Sequence, residues 1–198
     1  FQIFEQLDSY MFIIKNNYYL YIENTQNIDL NCIKKSNKIN IIYRNNSTQE
    51  NTEKLYEFRN KCRAKGFKLY ISNNIKLLRD CKGDGLYLSS FNKKIYLNKN
   101  INLIGSAHSF KEINEKIKQG CKTIFLSRLF KTSYEDGKRH LDVVRFNLLI
   151  SKYRIQILPL GGIKYSNLNK LNMLNCNGLA LLSEVKKKPA ITSRLFWF

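Results

Sequence analysis

Two short apolar runs that end on small residues carry the strongest chemical signal in this chain. One is Leu158-Pro159-Leu160-Gly161-Gly162-Ile163, and the other is Gly178-Leu179-Ala180-Leu181-Leu182-Ser183. Paired glycines at the end of a strand leave backbone N–H groups uncovered by any Cβ, so an anion can approach them closely. Two such ends on neighbouring strands, the first opening into a helix, would cradle a phosphate group, with Gly161, Gly162 and Ser183 as its contacts. The same glycine pair could equally be a strand-ending turn, so the surrounding elements have to decide.

Runs rich in β-branched and aromatic residues recur along almost the whole chain. They cover 18–23, 39–45, 68–73, 85–90, 102–109, 123–130, 155–162 and 178–185. Several are continuously apolar (TIFL, IQILPL, LALL), as strands are when both faces of a parallel sheet are covered. Amphipathic segments lie between them. Leu55, Phe58, Arg59 and Cys62 share one helical face in a segment ending near Gly66. Ser109 and Glu112 have capping-box spacing ahead of a helix whose expected apolar side is Ile113, Ile117 and Cys121. Val143, Val144, Phe146, Leu148 and Leu149 predict another helix, and Leu168, Leu171 and Leu174 a last full one. The connections 25–38 and 91–101 read as short or degraded helices.

Eight strands with crossover helices predict an α/β fold, a single (β/α)8 TIM barrel over residues 18–185. A doubly wound open sheet is the alternative. Barrels of this type commonly place a phosphate site after strands seven and eight, where the two glycine-bearing runs fall. Residues 1–17 read as an N-terminal extension, and 186–198 as a basic, aromatic tail suited to closing the barrel or a homodimer seam.

Composition narrows the partners. The chain has 198 residues and a formal net charge of +19, from 34 Lys and Arg against 15 Asp and Glu. That surplus suits an anionic partner. The lysines are scattered apart from Lys186-Lys187-Lys188, with no aromatic-interleaved basic patch, so nucleic acid is the weakest of the three classes of reading. The five cysteines, at 32, 62, 81, 121 and 176, are odd in number and lack C-x-x-C spacing. They predict reduced thiols in a cytoplasmic protein and no zinc site. No apolar run is long enough to span a membrane.

The order of motifs resembles the thiamine phosphate synthase/TenI superfamily of barrels. The resemblance rests on Gly105-Ser106-Ala107-His108-Ser109, Phe130-Lys131-Thr132, Gly161-Gly162-Ile163 and Ala180-Leu181-Leu182-Ser183. Asp84-Gly85-Leu86-Tyr87-Leu88 is similar to the family's D-G-x-H-L run, with Tyr87 in place of His, and Arg63-Ala64-Lys65-Gly66 also fits. The resemblance implies a small phosphorylated ligand, a thiazole phosphate or thiamine phosphate. For the synthase branch it also implies Mg²⁺ and departing pyrophosphate.

Residue by residue, the resemblance is uneven. The family's Q-x-R-x-K strand end reads Ile42-Tyr43-Arg44-Asn45-Asn46, which keeps only the Arg. Its two metal-binding Asp positions fall on Asn73 and near Phe91-Asn92. The Lys of its T-x-T-K loop falls on Glu135, in Thr132-Ser133-Tyr134-Glu135. The expected magnesium ligands are therefore substituted, no metal site is expected, and ordinary synthase chemistry is not expected either. In the TenI branch, a metal-free thiazole tautomerase, the strand-six His falls on Arg128, a poor base because it stays protonated.

Expected catalytic candidates are His108 and Arg128. Expected phosphate contacts are Gly161, Gly162, Ser183 and Ser106, with Arg44, Asn73 and Thr132 elsewhere in the pocket. Three readings remain open: a synthase-like transferase or tautomerase, a non-catalytic phosphate-ligand-binding or regulatory barrel, and a basic nucleic-acid-binding protein.

Overall fold

The computed structural model describes residues 16–45, 50–96, 100–131 and 140–181. The expected strands form in order: β1 (Asn17–Ile22), β2 (Ile39–Tyr43), β3 (Lys68–Ser72), β4 (Gly85–Leu88), β5 (Leu103–Ala107), β6 (Thr123–Ser127), β7 (Gln156–Leu160) and β8 (Gly178–Leu181). Each pairs in parallel with the next, and β8 pairs back onto β1, so the sheet closes as a barrel and the open-sheet alternative is set aside.

Side-chain alternation separates two packed regions. Outward residues such as Leu20, Ile41, Leu69, Leu86 and Leu126 pack under the helices. The interior is filled by Tyr19, Tyr21, Ile42, Tyr70, Tyr87, Ile104, Phe125, Leu158, Leu160 and Ala180. The rings meet edge to face: Tyr19 and Phe125 have centroids 4.8 Å apart, and Tyr21 and Tyr87 5.4 Å apart. Polar groups at the closed end are satisfied locally. The Thr123 hydroxyl donates to Gln156 Oε1 at 2.8 Å, and Asn102 Nδ2 donates to the Tyr70 hydroxyl at 2.9 Å.

Among the described residues, four α-helices cover the barrel: α1 (Thr52–Ala64), α2 (Ile75–Asp80), α3 (Phe110–Lys118) and α4 (Asp142–Ile150). α1 buries Leu55, Phe58 and Cys62, as the spacing predicts. The short α2 carries too few apolar positions to show periodicity, and sequence reading missed it. The connection 25–38 does degrade, to 3₁₀ turns at Thr25–Asn27 and Leu30–Cys32, and no helix forms over residues 91–96.

Three helical expectations need correction. α3 buries Ile113 and Lys116, while Ile117 is exposed, because the face that meets β5 runs through positions 113, 116 and 121. On α4, Val143, Phe146 and Leu149 are buried, but Val144 and Leu148 are 64% and 63% exposed, on the opposite side of the helix. The last segment is a 3₁₀ helix (Tyr165–Met173), which buries Leu171 and leaves Leu174 buried at its end. The capping box also opens by one residue. Ser109 Oγ accepts from Glu112 N, but Glu112 Oε2 accepts from His108 N at 2.8 Å rather than from Ser109 N.

The expected extension and tail fall largely or wholly outside the described residues. Phe125→Ala removes the ring shared by Tyr19, Tyr21 and Tyr87. It should cost about 3–5 kcal/mol in denaturant unfolding, whereas Leu148→Ala should change stability by less than about 0.5 kcal/mol.

Candidate phosphate site at the barrel mouth

All eight strands run in one direction, so their C-terminal ends share one rim. Arg44 follows β2, Asn73 follows β3, and Ser89 and Asn92 follow β4. His108 follows β5, Arg128 follows β6, and Gly161-Gly162 follow β7. Ser183 and Thr132 lie outside the described residues.

The β6 and β7 ends are joined. Leu129 N donates to Leu160 O at 3.1 Å, and Phe130 N donates to Gly161 O at 3.2 Å. Gly161 and Gly162 both take left-handed backbone, with φ of +89° and +71°. A Cβ on Gly162 would collide with the Phe130 carbonyl, and one on Gly161 would stand 3.1 Å from Ser127 Oγ and 3.5 Å from Arg128 Cγ. Only glycine fits this close approach. The Gly162 carbonyl is turned away to accept from Asn167 Nδ2 at 2.8 Å. The N–H groups of the pair donate to no backbone carbonyl among the described residues. Arg128 thus starts beside the glycine pair, so the root of its side chain and a strand-end turn share one side of the rim.

His108 is on the neighbouring strand end, with half its side chain exposed. Its Nδ1 lies 3.2 Å from Glu112 Oε2, the oxygen that also accepts from its backbone N–H. One carboxylate on the first turn of α3 therefore fixes both the ring and the chain that carries it. Arg44 stands across the barrel from Arg128 in strand order. Ser106 lies one level down, buried, with its Oγ accepting from the Tyr87 hydroxyl at 2.8 Å.

The β3–β4 side is an amide network. Asn73, at φ +56°, donates from Nδ2 to Ser89 Oγ at 2.6 Å and accepts at Oδ1 from Ser89 N at 3.1 Å. Asn92 Nδ2 donates to the same Oδ1 at 2.9 Å, and Asn92 Oδ1 accepts from Lys94 N at 2.9 Å. The accepting lone pairs of Asn73 are spent, and both groups are neutral. Magnesium favours carboxylate oxygens, and no cluster of metal-ligating side chains occurs among the described residues. This donor set does not fit the cation.

Beneath the rim, the Tyr21 hydroxyl has no hydrogen-bond partner among the described residues. It faces Tyr87 with Arg44 in range. Burial, reinforced by Tyr87, holds its pKa well above the usual phenol range, so it stays protonated. Sequence reasoning missed Tyr21, Ser89 and Lys116. The signal for Tyr21 was its two-residue spacing from Tyr19, which places both inside the barrel. The other two had none, because their roles depend on contacts 16 and 24 residues away.

Comparison with known proteins agrees with the closed barrel. Residues 21–185 match the family model TMP-TENI, described as thiamine monophosphate synthase. The chain belongs to this family.

The chain is 21% identical over 148 residues to the thiamine-phosphate synthase of Prochlorococcus marinus (strain AS9601), covering 72% of this chain and 42% of that one. It is 24% identical over 156 residues to that of Clostridium perfringens (strain 13 / Type A), covering 76% and 75%. It therefore spans less than half of the first relative. Among solved structures, thiamine phosphate pyrophosphorylase from Pyrococcus furiosus superposes with a TM-score of 0.71 at 16% identity, covering 92% of this chain and 94% of that one. A 3-hexulose-6-phosphate synthase superposes at 0.60 with 12% identity, covering 91% and 98%. These likenesses are of fold. No helix among the described residues is long and apolar enough to cross a membrane.

Two substitutions test the geometry. Gly162→Ala forces an L side chain into left-handed backbone against the Phe130 carbonyl, and should cost at least ~2 kcal/mol of unfolding free energy. Tyr21→Phe removes an unpartnered buried hydroxyl and should raise stability by about 1 kcal/mol, seen as a Tm rise of about 2–4 °C.

Proposed function

We propose that this chain is a divergent thiamine phosphate synthase/TenI-type barrel that binds a small phosphorylated ligand of thiamine biosynthesis, a thiazole phosphate or thiamine phosphate. The observation that carries this reading is the left-handed Gly161-Gly162 turn with Arg128 starting beside it. Backbone N–H groups and a guanidinium together satisfy the oxygens of a phosphate monoester, because Arg presents a planar fork of donors. Ser183, at the end of the next strand, would add a hydroxyl donor. Arg44 would add positive potential from across the mouth.

On this reading the magnesium and pyrophosphate machinery of the family is largely gone. Asn73 and Asn92 stand at the positions aligned with its metal carboxylates and bond to each other, so no step is drawn through a metal. What remains is acid–base capacity. His108, with its Nδ1 against Glu112, leaves Nε2 as the ring nitrogen available to hold or pass a proton, which suits a tautomerase-type shift. Arg128 acts as a fixed cation rather than a base. The neutral amide network favours a second reading, a barrel that binds the ligand without turning it over. The buried thiols Cys62, Cys81 and Cys121 suit a cytoplasmic setting, and burial pushes Cys62 up to about 12 and Cys121 to about 11, so they are inert.

Calorimetric titration with thiazole phosphate tests the cradle. Gly161→Asp places a carboxylate against Ser127 and Arg128 and should weaken binding at least about tenfold, or ~1.4 kcal/mol. Unchanged affinity would remove the cradle. Asn73→Asp, Asn92→Asp and Asn46→Lys together should introduce Mg²⁺-dependent turnover, measured as pyrophosphate release. No gain would point to a rebuilt pocket.

A further inference from the structure

Large apolar side chains are exposed on one flank of the barrel and not on the other. Phe91 and Ile95 on the segment after β4, Phe110 and Ile117 on α3, and Val144 and Leu148 on α4 are 39–72% exposed, as is Met173 at the end of the 3₁₀ helix. Among the described residues of 16–88, which carry α1 and α2, no large apolar side chain is comparably exposed. Single exposed apolar residues are ordinary on a protein surface, but their concentration on one side marks a surface for interaction.

Contacts between the elements make this flank one continuous face. Lys116 and Gln119 hold the segment after β4 against α3, at Asn92 O and Lys94 O. The Lys152 ammonium, just past α4, lies 5.9 Å from the centroid of the Phe110 ring at the start of α3. Asn147 joins α4 to the end of the 3₁₀ helix, donating to Met173 O at 2.8 Å and accepting at Oδ1 from Asn175 N at 2.9 Å. Val144 and Leu148 are one helical turn apart and Phe110 and Ile117 two turns, so each pair shares a side of its helix.

The same flank is the more basic one. The described residues of 89–181 include thirteen Lys and Arg against three acids, Glu112, Glu115 and Asp142, whereas those of 16–88 include thirteen against seven. Lys93, Lys94, Lys111, Lys118, Arg145 and Lys152 are all exposed among the apolar side chains. A second copy of the chain would bring an equally basic face against this one. Nucleic acid would answer the cations, but aliphatic side chains such as Ile95, Val144 and Leu148 offer bases no ring to stack on. An anionic bilayer answers both groups at whatever spacing they have. Its headgroups take the cations, and the boundary of its acyl chains takes the apolar tips.

We infer that the flank built from the segment after β4, α3, α4 and the 3₁₀ helix docks on an anionic lipid bilayer, lying on its surface without spanning it. The face is on the side of the barrel, so the inference does not depend on the phosphate-binding reading.

The test is co-sedimentation of the full chain with vesicles of phosphatidylcholine mixed with phosphatidylglycerol, and with vesicles of phosphatidylcholine alone. Binding to the anionic vesicles should be at least about tenfold the tighter of the two. Phe91→Ser, Ile95→Ser, Val144→Ser and Leu148→Ser combined keep the charge and change only exposed positions, and should weaken that binding at least about tenfold, with circular dichroism confirming the fold. Lys118→Glu with Arg145→Glu should also weaken it at least about tenfold, whereas Lys61→Glu with Arg63→Glu, the same charge change on α1, should alter it by less than about threefold. Absence of binding to the anionic vesicles would overturn the inference. So would undiminished binding by the serine variant, which is adsorption by charge alone, or an equal loss from the α1 pair. Sedimentation velocity without lipid covers the remaining occupant: a dimer that the serine variant abolishes would assign the face to a second copy and overturn the lipid surface.

Discussion

Closure of the sheet governs everything else in this molecule. Because β8 returns to β1, each strand spends its backbone hydrogen bonds on two neighbours, and the inward side chains must fill a column of fixed cross-section. Here that filling is aromatic. Tyr19, Tyr21, Tyr70, Tyr87 and Phe125 pack edge to face where branched aliphatic side chains are the usual choice for such barrels. Large rings fill the column up to the level of Ser106, so recognition is displaced to the loops that leave the strands. The tyrosine hydroxyls bring their own demand for partners. Tyr70 and Tyr87 meet it through Asn102 and Ser106, while the Tyr21 hydroxyl, facing Tyr87, has no partner within hydrogen-bond geometry among the described residues.

The outer layer is thin, and polar side chains do work that longer helices would otherwise do. Between β1 and β2 only 3₁₀ turns form, and the Glu50 carboxylate holds that segment by accepting from Thr25 N at 3.0 Å and Thr25 Oγ1 at 2.9 Å. Lys65 Nζ reaches Ile33 O at 2.9 Å, tying the same connection to the end of α1. Between β4 and β5, Lys116 and Gln119 reach out of α3 to hold a loop segment that forms no helix over residues 91–96. Each of these bonds fixes a carbonyl or amide that a crossover helix would have satisfied internally.

How much of this was legible follows from the range of each interaction. Strands such as Thr123–Ser127 and Gln156–Leu160 were readable because burial on both faces removes polar residues from a short continuous run. The glycine pair was readable because left-handed backbone selects its residue type locally. α3 shows where local reading stops. Ile117 looks like core and is exposed, while Lys116 looks like surface and is buried, because the Asn92 carbonyl on another segment and the Gln119 amide oxygen at the end of its own helix receive its ammonium. Asparagine is equally at home in turns, caps and cores, so Asn73 and Asn92 carried no pattern of their own. Their pairing emerged only when β3 and β4 were placed side by side.

The electrostatics of the mouth follow from that pairing. A bound divalent cation needs anionic side chains, and those side chains would repel a phosphate until the cation arrived. With amides at the aligned positions, that alternation between repulsion and bridging disappears. A chain of net charge +19, with Arg44 and Arg128 on strand ends at opposite points of the rim, carries a positive surplus there. The amide network thus has two physical consequences at once. It removes the charge that would hold a metal, and it places no carboxylate at these two positions to oppose the arginines of the rim.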